Sequence, residues 1–284
     1  MQMSKPHRLD ENVIQTRRDI VRMVHGAKSG HPGGSLGCTE FFVTLFQNHM
    51  NYQLPFEMDG IGQDVFFLSN GHISPVFYSV LARSGFFPIK ELATFRKINS
   101  RLQGHPTTHE GLPGVRVASG SLGQGLSVAV GAALSKTLNQ DPALVYALLG
   151  DGELQEGQNW EAIMFAAGNH VDNLIVTIDY NGQQIDGATQ DVLPLGNLEE
   201  KFKSFGWRVL VNHQGNDLHA VKEGLTKAVK HSNNSKPIVI IMKTEMGHGV
   251  DFMMHSHQWH GIAPNDQQLQ LALDQNSPTS LGDY

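Results

Sequence analysis

Five short apolar runs, at residues 65–68, 144–149, 174–178, 207–211 and 238–242, are each bounded by Gly, Asp, Asn or Pro. Runs of this length read as strands buried on both faces. Between them apolar residues recur at helical spacing, at 73–82, 123–138, 154–167, 198–205 and 218–229. Val13, Ile14, Ile20, Val21 and Val24 predict an opening helix that stops before Gly26, and a second helix is expected over 39–50. Strands alternating with helices imply an α/β fold, a parallel sheet with helices on both faces, with ligands at the carboxyl ends of the strands. No repeat or linker divides the chain, so one domain is expected over residues 1–264. A tail over 265–284 contains a short helical stretch at 267–273 and a polar end expected to fray.

Composition narrows the possible functions. A net charge of −6 leaves no basic patch to displace counterions from nucleic acid. No apolar run approaches the roughly 20 residues of a membrane span. The lone Cys38 allows no disulfide within the chain and is expected as a small buried hydrophobe. Residues 1–12 are polar and mixed in charge, without a leader pattern, so a cytoplasmic location is expected. The unusual count is 15 histidines. They cluster with glycine in Gly30-His31-Pro32-Gly33-Gly34, Asn70-Gly71-His72 and Gly104-His105-Pro106, and again over residues 248–260.

The strongest chemical signal is a strand running into Gly150-Asp151-Gly152 and then a helix led by Glu153. Glycines let the backbone turn sharply against a ligand, and a helix start offers N–H groups to a phosphate. Thirty positions after Asp151, Asn181 ends a second apolar strand. In a parallel sheet the two strand ends can lie side by side, presenting two hard oxygen ligands to one small cation.

This pattern resembles the thiamine-diphosphate enzymes. The order and spacing of Gly30-His31-Pro32-Gly33-Gly34-Ser35, Gly71-His72, Gly104-His105-Pro106, residues 120–125 and Trp259-His260-Gly261 resemble the diphosphate-binding half of transketolase over residues 19–264. The resemblance implies thiamine diphosphate with Mg2+ or Ca2+ held by Asp151, the Asn181 side chain and the Gln183 carbonyl. It places Gly150, Gly152 and Glu153 at the cofactor, and Gly120 and Leu122 at its rings. His31 and His105 would face the reacting carbon and the sugar hydroxyls. His72 and His260 would contact diphosphate and substrate, with His257 a second candidate for the latter role. Glu156 and Glu161 resemble interface carboxylates linking paired sites, and Asp186 a cofactor-loop position.

A whole transketolase is more than twice as long, and its second half supplies the glutamate that activates the aminopyrimidine. The resemblance therefore implies the first subunit of a split transketolase, completed by a separate C-terminal subunit in a heterotetramer. Its reaction would be ketol transfer from a ketose phosphate to an aldose phosphate, in pentose-phosphate metabolism or a specialised sugar route. Three other readings stand beside it: the α subunit of a 2-oxo-acid decarboxylating enzyme, a 1-deoxyxylulose-phosphate synthase fragment, and a non-catalytic thiamine-diphosphate sensor.

Overall fold

The computed structural model describes residues 9–284. The polar segment read over residues 1–12 lies outside them up to residue 8. The chain opens with α1 (Leu9–Ala27), α2 (Pro32–Gly37) and α3 (Thr39–Thr44), followed by a π turn over Leu45–His49. Then come β1 (Val65–Leu68), α4 (Ser74–Arg83), α5 (Gly125–Leu138), β2 (Val145–Gly150), α6 (Gly157–Gly168) and β3 (Leu174–Tyr180). A small hairpin of β4 (Gln183–Gln184) and β5 (Gly187–Ala188) leads into α7 (Thr189–Val192) and α8 (Leu198–Ser204). The remainder is β6 (Arg208–Asn212), α9 (Leu218–His231), β7 (Ile238–Lys243) and α10 (Asp266–Gln275).

The five expected strands form one parallel sheet in the order β1-β2-β3-β7-β6. Because side chains alternate along a strand, β2 supplies two cores. Tyr146 and Leu148 pack with α1, α3, α4 and α9 on one face. Val145, Ala147 and Leu149 pack with α5, α6 and α8 on the other. Each large side chain removed from water in this way contributes about 1.5–3 kcal/mol. With both faces covered, the carboxyl ends of the strands are the natural place for a cavity.

The polar end does not fray. Asp283 accepts from Arg18 Nε at 2.9 Å and Nη2 at 2.7 Å, and from Gln15 Nε2 at 2.9 Å. Arg18 also donates to the Asn276 carbonyl at 2.6 Å, and the Arg22 guanidinium lies 5.0 Å from the centre of the Tyr284 ring. Sequence periodicity could not show this clamp, whose partners are 265 positions apart. Arg18 holds the Asp283 carboxyl far below the usual carboxylate range. A depressed carboxyl stabilises the fold above its unfolded pKa of about 4, and that stability is lost as pH falls. Asp283→Ala is expected to cost about 1–2 kcal/mol in urea unfolding at pH 7. An unchanged midpoint would contradict the clamp.

Candidate active site

Ser69-Asn70-Gly71-His72 follows β1, Asp151 follows β2 and Asn181 follows β3, so neighbouring strand ends deliver these groups to one place. Asn70, His72, Asp151 and Asn181 line a cavity of about 400 Å³ together with His31, Gly120, Leu122, Glu153, Gln183 and His260. That volume lies within the usual range for a small-molecule site.

Asp151 is 1% exposed. Its Oδ1 accepts from the Gly152 N–H and its Oδ2 from the Gly182 N–H, both at 2.7 Å. Register places Gly150 opposite Asp179, so a second acid, 2% exposed, sits beside it. Asp179 accepts from Asn181 Nδ2 at 2.8 Å and from the Thr244 hydroxyl. The buried Cys38 thiol lies near it, and burial pushes that thiol up. Burial and the neighbouring Asp179 charge push the Asp151 carboxyl up to about 7. The protein groups that ease this are N–H and hydroxyl dipoles, so two buried acids face each other without a side-chain cation of their own. Such a pair suits a hard divalent cation. Among the described residues no three His, Cys, Asp or Glu side chains are arranged to hold a metal. A cation here would therefore need the Asn181 amide or a backbone carbonyl.

Three imidazoles, of His31, His72 and His260, line the same cavity, and that of His105 stands beside them. The His31 ring centre is 5.1 Å from that of His72, 5.5 Å from His260 and 6.1 Å from His105, and His72 is 4.9 Å from His260. Burial, then the neighbouring His260, Arg96 and His105, lowers His31 to about 4. Burial first and nearby imidazoles second push His72 well below the ordinary value. Burial lowers His260, and burial with Arg96 lowers His105. All four are neutral at pH 7, so each ring can donate one hydrogen bond and accept another. Three buried atoms of residues lining the cavity, His31 Nδ1, Asn70 Oδ1 and Gln184 Oε1, have no partner among the described residues. Buried polar atoms of this kind call for a polar ligand.

Close backbone approach explains the glycines. At Gly33 a Cβ would stand 2.8 Å from the Trp259 carbonyl, so helix α2 lets the strap carrying His260 lie against it. The Gly33 carbonyl accepts from the Gly247 N–H at 2.8 Å. Gly120 has φ +118°, and a Cβ there would meet the His105 ring at 2.7 Å. Leu or Ala at these positions would displace a histidine.

Not every expected residue joins this group. His105 packs on Gly120 at the margin and is not among the residues that line the cavity. His257 is exposed and away from it, whereas His260 faces it, held by Trp259 packing on Phe252 at 5.3 Å. Asp186 is exposed on the β4–β5 turn and does not line the cavity. Glu156 stands at the rim, and Glu161 lies farther off, in an apolar groove between α5 and α6. The Gln183 N–H donates to Asn181 Oδ1 at 2.8 Å. Asp179, Gln184 and Ile185 also line the cavity, and the motif spacing alone does not single them out. Asp179 carries a readable signal, an acid ending an otherwise apolar strand two positions before Asn181.

Residues 9–276 match the family model described as transketolase, thiamine diphosphate binding domain. The chain is 36% identical over 268 residues to one subunit of the apulose-4-phosphate transketolase of Actinobacillus succinogenes, covering 94% of this chain and 95% of that one. It is 40% identical over 246 residues to a 6-deoxy-6-sulfo-D-fructose transketolase subunit of a Clostridium species, covering 86% and 87%. The transketolase of Campylobacter jejuni superposes with a TM-score of 0.87 at 30% identity, over 96% of this chain and 43% of that one. The chain thus spans nearly all of the subunit relatives and less than half of the longer enzyme.

Proposed function

The chain belongs to the transketolase family, as its thiamine-diphosphate-binding domain, and from that premise we propose that it is the N-terminal subunit of a split transketolase. It takes part in moving a two-carbon ketol group from a ketose phosphate to an aldose phosphate, in pentose-phosphate or specialised sugar metabolism. The observation that carries this reading is one cavity lined both by a buried acid-amide set and by a cluster of neutral histidines. The relatives matched are transketolases and transketolase subunits, which favours ketol transfer over a 1-deoxyxylulose-phosphate synthase fragment, a sensor or a 2-oxo-acid decarboxylase subunit.

Asp151, Asn181 and the Gln183 carbonyl would hold Mg2+ or Ca2+, and Gly150, Gly152, His72 and His260 would hold the diphosphate. Gly120 and Leu122 shape the place of its rings. Thiamine diphosphate, when bound, supplies the electron sink that makes cleavage beside a carbonyl possible. The chain's residues bind and orient the sugar. His31 and His105 hydrogen-bond its hydroxyls and can carry a proton at a ring nitrogen as the reaction needs.

A separate C-terminal subunit completes the site, and two of each chain form a heterotetramer. The surface next to the cavity supports this. Helix α6 exposes Met164 (60%) and Phe165 (49%), and Ile185 on the hairpin is 58% exposed. A groove of about 410 Å³, lined by Val130, Gly131, Leu134 and Phe165, runs between the two helices. Helices apolar on their outward side are ordinarily covered by another chain. Glu156 and Glu161 stand on this side, where interface carboxylates belong. No described helix is long and apolar enough to cross a membrane. A cytoplasmic location remains part of the proposal, supported by a composition with one cysteine.

Titration calorimetry of the purified chain tests the reading. Thiamine diphosphate is expected to bind with Mg2+ present and to lose its binding heat when EDTA removes the metal. No heat in either condition would overturn it.

A further inference from the structure

Glu153 follows Gly150-Asp151-Gly152 and sits in the cavity wall, 2% exposed. Both of its carboxylate oxygens are already engaged by the chain itself. Oε1 accepts from the Ser69 hydroxyl and from the Gly123 N–H at 2.8 Å, and Oε2 accepts from the Gly150 N–H at 3.2 Å. Its main-chain carbonyl accepts from Asn159 Nδ2 at 2.6 Å, anchoring the residue to α6.

Two of the donors come from other loops, and the third, Gly150, ends β2 three residues before Glu153 itself. Ser69 begins the loop that carries Asn70 and His72, Gly123 follows Gly120 and Leu122, and Gly150 precedes Asp151. We propose that Glu153 is a positioning residue whose carboxylate clasps the Ser69 and Gly123 loops to the end of β2 and sets the shape of the cavity, instead of touching the ligand. Its place in the cofactor site rests on the function proposed above, whereas the clasp itself does not.

The chemistry requires a carboxylate. Three donors converge on the side chain, and an ionised carboxyl accepts at both oxygens. Glutamine has the same shape but presents an NH2, which would face the N–H of Gly150 or of Gly123, donor against donor. A buried donor left unpaired costs far more than a surface one. Burial pushes the Glu153 carboxyl up, and the three donors oppose that shift.

Amide hydrogen exchange of the ligand-free chain, read by mass spectrometry, tests the clasp against Glu153→Gln. Peptides covering residues 68–74, 119–126 and 148–153 are expected to exchange about tenfold faster or more in the variant, with β3 and β7 unchanged. In the same preparation the affinity for thiamine diphosphate with Mg2+ is expected to fall about 10- to 100-fold, while the urea midpoint moves little. Unchanged exchange with lost affinity would show that Glu153 touches the ligand, and would overturn the clasp. Unchanged exchange with unchanged affinity would overturn it too. Should Glu153→Gln not fold, Ser69→Ala removes a single donor, and faster exchange is then expected in the 68–74 peptide. Unaltered protection there would equally count against the clasp. If the natural chain binds no thiamine diphosphate the proposed function fails, yet the exchange measurement still decides the role of Glu153.

Discussion

Titrated with thiamine diphosphate and Mg2+, Asp151→Ala is expected to bind at least about 100-fold more weakly than the natural chain, since even outer-shell partners of a metal are commonly worth 10- to 100-fold. Asn181→Ala is expected to behave alike. Both residues end adjacent strands, and Asp179 braces Asn181 from behind at 2.8 Å. Neither substitution touches either core, so the fold should persist. The same acids make a second readout available without cofactor. Folding raises the Asp151 carboxyl from its ordinary value of 3.8 to about 7. The folded state therefore binds a proton that the unfolded chain releases near pH 4. Stability from this group is greatest below pH 4 and declines as pH rises toward about 7. Mg2+ is expected to restore melting temperature at pH 8 in the natural chain and not in Asp151→Ala. Equal affinity for thiamine diphosphate in the two proteins would remove Asp151 from the metal site.

The strands are legible because they are continuous apolar runs closed by turn residues, and each begins within one residue of its expected start, with β7 matching at Ile238. Helices are less legible where polar groups intervene. The pattern over 39–50 splits into α3 and a π turn, and the expected helix from 154 begins only at Gly157. There a 3-10 turn over Gly152–Gln155 lets the Glu153 carboxylate reach back to Gly150 and Gly123. No periodicity encodes that reach. The β4–β5 hairpin escapes a sequence reading because each of its strands has two residues, too few to show alternation.

In the site, strand ends and spacing point to Asp151 and Asn181, the resemblance to transketolase adds His31, His72 and His260, and all five line one cavity. These signals are not enough to separate His257 from His260. Both lie in one short turn, and only the packing of Trp259 on Phe252 turns one inward. Asp186 sits on an exposed turn, where a loop's sequence leaves its path open. Asp179 reads from sequence as part of a strand, although its register opposite Gly150 puts it beside Asp151.

The largest effect expected of this protein is all-or-none. Of the acids that line the cavity, Asp151, Asp179 and Glu153 are buried and hydrogen-bonded within the chain, the first two at the proposed cation site. Glu156 is exposed at the rim, next to the uncovered apolar side of α5 and α6. On the reading proposed above, the carboxylate that activates the aminopyrimidine comes from the separate C-terminal subunit, as the resemblance to transketolase implies, and that subunit covers this side of the chain. The most direct measurement is ketol transfer from a ketose phosphate to an aldose phosphate, with thiamine diphosphate and Mg2+ supplied, by this chain alone and after addition of a separately purified C-terminal transketolase subunit from the same source. No turnover is expected from the chain alone, and turnover is expected with both. Turnover by the chain alone would contradict the split site, because a carboxylate within its own 284 residues would then complete it.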